Sequence, residues 1–160
     1  MAHQGKVSVL VLVPAVLAIA LAGVVAAGEN SYVGSSTCKE CHEEIYASFM
    51  KNSRKAHSFK SIQRMAGQLT DEEVKECYTC HTTGYGKPGG FVSREKTPDL
   101  ANLGCETCHG PGSAHVEAGG DSAAIIGQGK ISVRESCVRC HNEQRVEGFH
   151  YLPVIHAGAH

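Results

Sequence analysis

Apolar side chains are distributed very unevenly along the 160-residue chain. Residues 7–25 form an almost unbroken run of Val, Leu, Ala and Ile, and the run closes on small residues up to Ala27. A short apolar run with small residues at its end is typical of a secretory signal peptide. We therefore expect a signal peptide over 1–27 and an exported domain over 28–160, located in the periplasm or outside the cell. The alternative is an uncleaved membrane anchor, because about 20 apolar residues also suffice to span a bilayer.

Three capping-box patterns mark helix starts in the rest of the chain. In this pattern a Ser or Thr is followed three residues later by Glu, and each residue satisfies a backbone N–H of the other. After the first box, Ile45, Phe49 and Met50 keep helical spacing, so we expect that helix to reach about Ala56. The three boxes are Thr37-x-x-Glu40, Thr70-x-x-Glu73 and Ser132-x-x-Glu135.

The remaining segments have the composition of loops. Residues 82–104 are rich in glycine and proline, which favour turns. Gly110-Pro111-Gly112 then breaks the chain, and Ser113 is predicted to cap a short turn that ends at Gly119-Gly120. No strand-like alternation of apolar and polar residues persists. The pattern predicts a mainly α fold with extensive loops.

Large apolar side chains are scarce in the exported part. Ile, Leu, Val, Met, Phe and Tyr together supply 29 of its 133 residues, and the chain contains no Trp. A core of so few large side chains is marginal for a chain of this length, and disulfides, metals or cofactors are the usual supplements. The formal net charge of −1 lacks the basic footprint of a nucleic-acid-binding protein, so that class is excluded.

All eight cysteines fall in four copies of Cys-x-x-Cys-His, the attachment sequence of c-type haem. On one helical turn the two thiols face the same way and can form thioether bonds to one porphyrin, while the next residue turns its imidazole to the iron. We expect four covalent haem c groups, which would also supply the missing core of a small multihaem cytochrome c fold. The cofactor-binding residues are Cys38, Cys41, Cys77, Cys80, Cys105, Cys108, Cys137 and Cys140, and the proximal ligands are His42, His81, His109 and His141.

Three other uses of paired cysteines fit less well. Two zinc sites of four thiolates would need no histidine after every second cysteine. Disulfides within Cys-x-x-Cys close very short loops and gain little loop entropy. A thioredoxin-like redox site needs a single motif in an α/β setting, and this chain has four.

The exported part contains five further histidines, and in a small multihaem protein such residues are most often distal ligands. His57 and His115 are the main candidates, followed by His150 and His156, whereas His160 is terminal. Met50 and Met65 are alternative axial ligands, although we interpret both as packing residues.

Two segments resemble the cytochrome c-554 family of tetrahaem cytochromes. Residues 32–46, Tyr-Val-Gly-Ser-Ser-Thr-Cys-Lys-Glu-Cys-His-Glu-Glu-Ile-Tyr, are similar to the opening of that family. Residues 104–115, Gly-Cys-Glu-Thr-Cys-His-Gly-Pro-Gly-Ser-Ala-His, are similar to its third haem site and are the most specific part. The similarity extends from Tyr32 to about Asn142.

The resemblance implies a set of distal ligands. It assigns His57 to the third haem and His115 to the first, and it allows a five-coordinate second haem. The fourth haem of the family takes a histidine from a longer C-terminal segment, whereas only nineteen residues follow His141 in this chain. We expect His150 or His156 to serve the fourth haem. The other histidine then closes the second haem or reaches a haem in a neighbouring molecule.

Bis-histidine haems accept and pass single electrons, so electron transfer is the leading function and no catalytic residue is assigned. The alternatives are a membrane-anchored quinol dehydrogenase, a reductase of small nitrogen oxides at an open second haem, and a subunit of an extracellular cytochrome filament. The expected partners are redox proteins. Residues 28–160 carry 14 basic and 16 acidic side chains, and haem propionates add negative charge, so docking on basic patches is expected.

Overall fold

A computed structural model gives the structure of residue 1, residues 28–127 and residues 133–142. These ranges contain helices and loops but no β-strand, which confirms the mainly α prediction. The α-helices are α1 Ser35–Lys39, α2 Glu43–Asn52, α3 Phe59–Met65, α4 Asp71–His81, α5 Cys105–His109, α6 Ser113–Glu117 and α7 Val133–Val138. Short 3₁₀ turns cover Arg54–His57, Ala66–Gln68, Pro98–Leu100 and Ser122–Ala124.

Helix α4 begins at the second predicted capping box. The Glu73 N–H donates to Thr70 Oγ1 at 3.3 Å, and the Thr70 N–H donates to Glu73 Oε2 at 2.8 Å. The Thr70 N–H and the Thr70 hydroxyl, which donates to the same carboxylate oxygen at 2.9 Å, hold the pKa of Glu73 below its ordinary value. The box fixes the start of the helix, and the helix carries the whole second motif as far as His81.

We expect Thr70→Ala to destabilise the protein by about 1 kcal/mol, because the N-cap acceptor of α4 is lost. Thr79→Ala is the matched control, since Thr79 is exposed on the same helix and caps nothing. The measurement is chemical denaturation followed by far-ultraviolet circular dichroism. Equal midpoints for the two variants would show that the capping box does not stabilise the fold.

The prediction of one continuous helix from Thr37 to about Ala56 is wrong. Helix α1 begins at Ser35 after Gly34, and the Thr37 hydroxyl donates to the Val33 carbonyl at 3.0 Å instead of capping a helix. The chain then turns at residues 40–42, and α2 begins afresh after His42. The break lies inside the first motif, because His42 leaves helical geometry at φ −120° and ψ 48°.

The short turn after the third motif is present, but its cap differs from the prediction. Gly110 ends α5 at φ +78°, a conformation that favours glycine, and Gly112 rather than Ser113 precedes α6. The Ser113 hydroxyl accepts from the Ser31 N–H at 2.9 Å, so it ties this turn to the start of the described chain.

Residues 82–104 form a long loop, as predicted, and its aromatic Phe91 packs against the helices. Phe91 is 2% exposed. The centroid of its ring lies 5.1 Å from that of Tyr78 on α4 and 5.9 Å from that of Phe59 on α3. Polar ties complete the loop, since the buried Thr83 hydroxyl donates to the Asn102 carbonyl at 2.7 Å and accepts from the Gly104 N–H at 2.8 Å. Aromatic contacts of Phe91 therefore hold the loop against the helices, and hydrogen bonds of Thr83 join its two ends.

Helix contacts bring the motif-bearing elements together. Helix α5 packs against both α1 and α7, α1 packs against α2, and α3 packs against α4. Within the described ranges, no helix has the length and apolarity that crossing a membrane requires. The predicted signal peptide, the Ser132 cap and the C-terminal histidines lie outside the described residues.

Candidate haem sites

Each motif is built on a helical turn. The second motif lies entirely in α4 and the third entirely in α5. In the first, the His42 N–H donates to the Cys38 carbonyl at 2.9 Å, and in the fourth the His141 N–H donates to the Cys137 carbonyl at 2.9 Å. This i to i−4 bond is the helical one, so all four motifs keep the turn that brings two thiols to one side.

The packing of α5 places the third motif between the first and the fourth. The thiols of Cys38 and Cys105 are close neighbours, and their interaction lowers the pKa of Cys105 to about 6 and raises the pKa of Cys38. Cys108 lies near Cys137. Burial raises the pKa of Cys108, and the charge of Cys137 raises it further to a smaller extent. Groups attached to these thiols would therefore be close neighbours in the order first, third, fourth.

The imidazoles of His42 and His115 are arranged as a pair. Their ring centroids are 6.4 Å apart and their planes differ by 15°. A metal–imidazole bond is about 2 Å long and the centroid lies about 1 Å beyond the nitrogen, so two imidazoles on opposite faces of one iron have centroids about 6 Å apart. The observed separation fits one iron between the rings, which supports the predicted partnership of the first motif with His115.

Backbone carbonyls hold three of the histidines by Nδ1. His115 Nδ1 lies 2.8 Å from the Asp121 carbonyl, His109 Nδ1 lies 2.7 Å from the Ile126 carbonyl, and His81 Nδ1 lies 3.1 Å from the Ser58 carbonyl. A metal-ligating histidine usually donates its second ring N–H to such an acceptor, which fixes the tautomer and the ring. With Nδ1 donating, Nε2 is the ring nitrogen that carries the lone pair a metal needs.

His141 is held in the form that ligates metals. Burial, and to a smaller extent the positive charge of Lys55, lower the pKa of His141. Only a neutral imidazole can donate a lone pair to iron. The shift favours the neutral imidazole, which is the form that can bind iron.

His57 lies at the end of a 3₁₀ turn and is exposed. Its Nε2 lies 3.1 Å from the Met50 carbonyl, so its Nδ1 is the nitrogen that remains available. The assignment of His57 to the third haem stays a prediction, as do the assignments of His150 and His156. Met50 is half-buried and Met65 is 48% exposed, and the interpretation of both as packing residues stays a prediction.

Sequence reasoning missed the role of Ser58. This residue is buried, its carbonyl accepts from His81, and its hydroxyl donates to the His81 carbonyl at 2.8 Å. The same hydroxyl accepts from the Leu103 N–H at 2.9 Å. A serine between a histidine and an apolar run carries no local signal of such a role, because its partners are 23 and 45 positions away.

Several exposed apolar side chains lie close in sequence to the motifs and to His115. Ile45, Val116 and Val138 are 48%, 48% and 44% exposed, and each lies within three residues of a motif cysteine or of His42 or His115. The buried apolar set of the described residues is small, comprising Phe49, Ala56, Ile62, Phe91, Leu100 and Ala101. A bound porphyrin would cover such side chains and complete the core, so the residues present fit haem.

Three comparisons with known proteins found similar chains. Residues 37–110, which hold the first three motifs, match the family model described as cytochrome c554 and c-prime. Cytochrome c-554 of Nitrosomonas europaea is 29% identical over 112 residues, which cover 63% of this chain and 47% of that protein. The chain thus spans about half the length of this curated relative.

The fold is similar to a solved structure of the reduced state of cytochrome c554 from Nitrosomonas europaea. The two chains superpose with a TM-score of 0.51 at 23% sequence identity, over 77% of this chain and 70% of the other. This likeness supports a mainly α fold with long loops. Residues 37–110 are thus similar to the cytochrome c-554 family, as the matched family model and the curated relative show.

Proposed function

We propose that this protein is an exported electron-transfer cytochrome with four covalent haem c groups, one on each Cys-x-x-Cys-His motif. The observation that carries the proposal is the His42–His115 pair, whose near-parallel rings stand 6.4 Å apart on two separate elements. That spacing is close to the separation of about 6 Å that two imidazole ligands of one iron would have. Each haem, when bound, accepts and releases one electron at its iron.

The polypeptide positions the thiols and the imidazoles that would hold the haems. The helical turns hold each pair of thiols, and the carbonyls of Ser58, Ile126 and Asp121 orient the imidazoles of His81, His109 and His115. Packing of α5 between α1 and α7 keeps the first, third and fourth motifs adjacent. Short distances between neighbouring centres are what a chain that passes single electrons needs.

The partners proposed for this chain are redox proteins that carry basic patches. The exported part has an excess of acidic side chains, and the described residues form one ion pair, between Lys75 and Glu72 on α4. Most acidic side chains of the described residues are exposed, so they could face an oppositely charged docking surface. Such encounters are steered by charge and weaken as salt screens it.

A potentiometric titration followed by visible spectroscopy tests the proposal. We expect four one-electron reductions per chain, with mostly low-spin spectra and no consumption of a small substrate. Carbon monoxide added to the reduced protein counts the irons without a sixth ligand, and we expect at most one, at the second motif. Fewer than four reductions, or carbon monoxide bound at most of the irons, would contradict the proposal.

A further inference from the structure

Glu106 is the most deeply buried charged side chain of the described residues. It lies inside the third motif, between Cys105 and Thr107, and is 1% exposed. Its carboxylate accepts three backbone N–H groups: from Val33 at 2.9 Å, from Gly34 at 2.8 Å and from Gly112 at 2.7 Å. Three such bonds compensate the burial of a carboxylate, which would otherwise be costly.

The hydrogen bonds require an acceptor on both oxygens. Oε1 accepts from Val33 and Gly112, and Oε2 accepts from Gly34. A glutamine has the same shape but offers one acceptor oxygen and one NH₂ donor. Its amide nitrogen would face at least one backbone donor, so glutamine cannot make all three bonds.

The three donors lie immediately before two helices, α1, which contains Cys38 of the first motif, and α6, which contains His115. Val33 and Gly34 immediately precede α1, which leads into the first motif. Gly112 immediately precedes α6, which carries His115. One side chain therefore fixes the relative position of the first motif and of the helix that supplies the opposite imidazole.

We propose that Glu106 is the positioning residue that sets the spacing of His42 and His115 around the first haem. The inference rests on the proposed function, because it needs a haem at the first motif. Glu106 belongs to the third motif, but its proposed role is at the haem of the first motif. Additional bonds between Ser113 and Ser31 also join the two segments, so loss of the carboxylate should loosen the pair without separating it.

The test compares Glu106→Gln with Glu117→Gln in the holoprotein. Glu117 is an exposed carboxylate on α6, two residues from His115, and serves as the matched control. We expect Glu106→Gln to retain four haems and to bind carbon monoxide at one further reduced iron, with about tenfold easier displacement of the distal ligand. Added imidazole should restore the low-spin spectrum of that haem.

Gly112→Ala provides an independent variant from the other side of the contact. A Cβ at Gly112 would lie 3.1 Å from Glu106 Oε1 and 3.3 Å from Val33 Cγ2, so it presses on the carboxylate without removing it. We expect the same change at the same haem, in smaller measure. This variant decides the matter if Glu106→Gln does not accumulate.

The outcomes separate the inference from the proposed function. Wild-type carbon monoxide binding in both variants, or an equal loosening of all four haems, would overturn the positioning role of Glu106. Fewer than four haems in the unaltered protein would instead contradict the proposed function. A change confined to one haem and reversed by imidazole supports the inference.

Discussion

Replacing His115 by alanine is expected to convert the first haem from low spin to high spin and to open it to carbon monoxide. The His115 ring stands opposite His42 at 6.4 Å, and its Nδ1 is fixed by the Asp121 carbonyl. Alanine removes the distal nitrogen while the first motif keeps its thiols and its proximal His42. The reduced variant should therefore bind one more carbon monoxide per chain than the unaltered protein.

Two comparisons sharpen this prediction. Glu117→Gln changes an exposed residue of the same helix and should leave the spectrum unchanged. His57→Ala should affect the third haem instead, if the ligand assignment implied by family resemblance is right. An unchanged low-spin spectrum in His115→Ala would show that the first iron takes its sixth ligand elsewhere.

Replacing both Cys105 and Cys108 by serine is expected to give a three-haem protein with a large loss of stability. These thiols lie next to Cys38 of the first motif and Cys137 of the fourth, so the third porphyrin would separate two other sites. Its loss exposes apolar surface on both sides, and burial of a few hundred Å² of such surface contributes several kcal/mol. The thermal unfolding midpoint should fall accordingly.

The matched control replaces Cys77 and Cys80 of the second motif. Within the described ranges Cys77 donates a hydrogen bond to the Glu73 carbonyl of its own helix, at 3.4 Å. Loss of this haem should therefore lower the midpoint less than loss of the third. Equal destabilisation by the two double variants would contradict a central position for the third motif.

Local sequence patterns predicted part of the fold. The capping box at Thr70 and the glycine-rich loop after Thr82 act on neighbouring residues, so their patterns predict the structure directly. The break between α1 and α2 was not predictable in the same way. There the turn through residues 40–42 ends α1 and redirects the chain, although Ile45, Phe49 and Met50 continue the helical spacing.

In the candidate site, too, local features were predictable from the sequence and contacts between distant segments were not. The four motifs are local patterns, and their helical turns are present in the structure. Glu106 and Ser58 act through backbone groups that are 72 and 45 positions away, such as Gly34 and Leu103. No pattern within a single segment reports such contacts, because they exist only once the segments have packed.

Intact-protein mass spectrometry of the purified holoprotein tests the central claim most directly. We expect the mass of residues 28–160 plus four haem units, with all eight cysteines consumed in thioether bonds. Alkylation under denaturing conditions should then add nothing to the mass. A mass with fewer than four haem units, or an alkylatable thiol in any Cys-x-x-Cys-His motif, would contradict the account of a four-haem electron carrier.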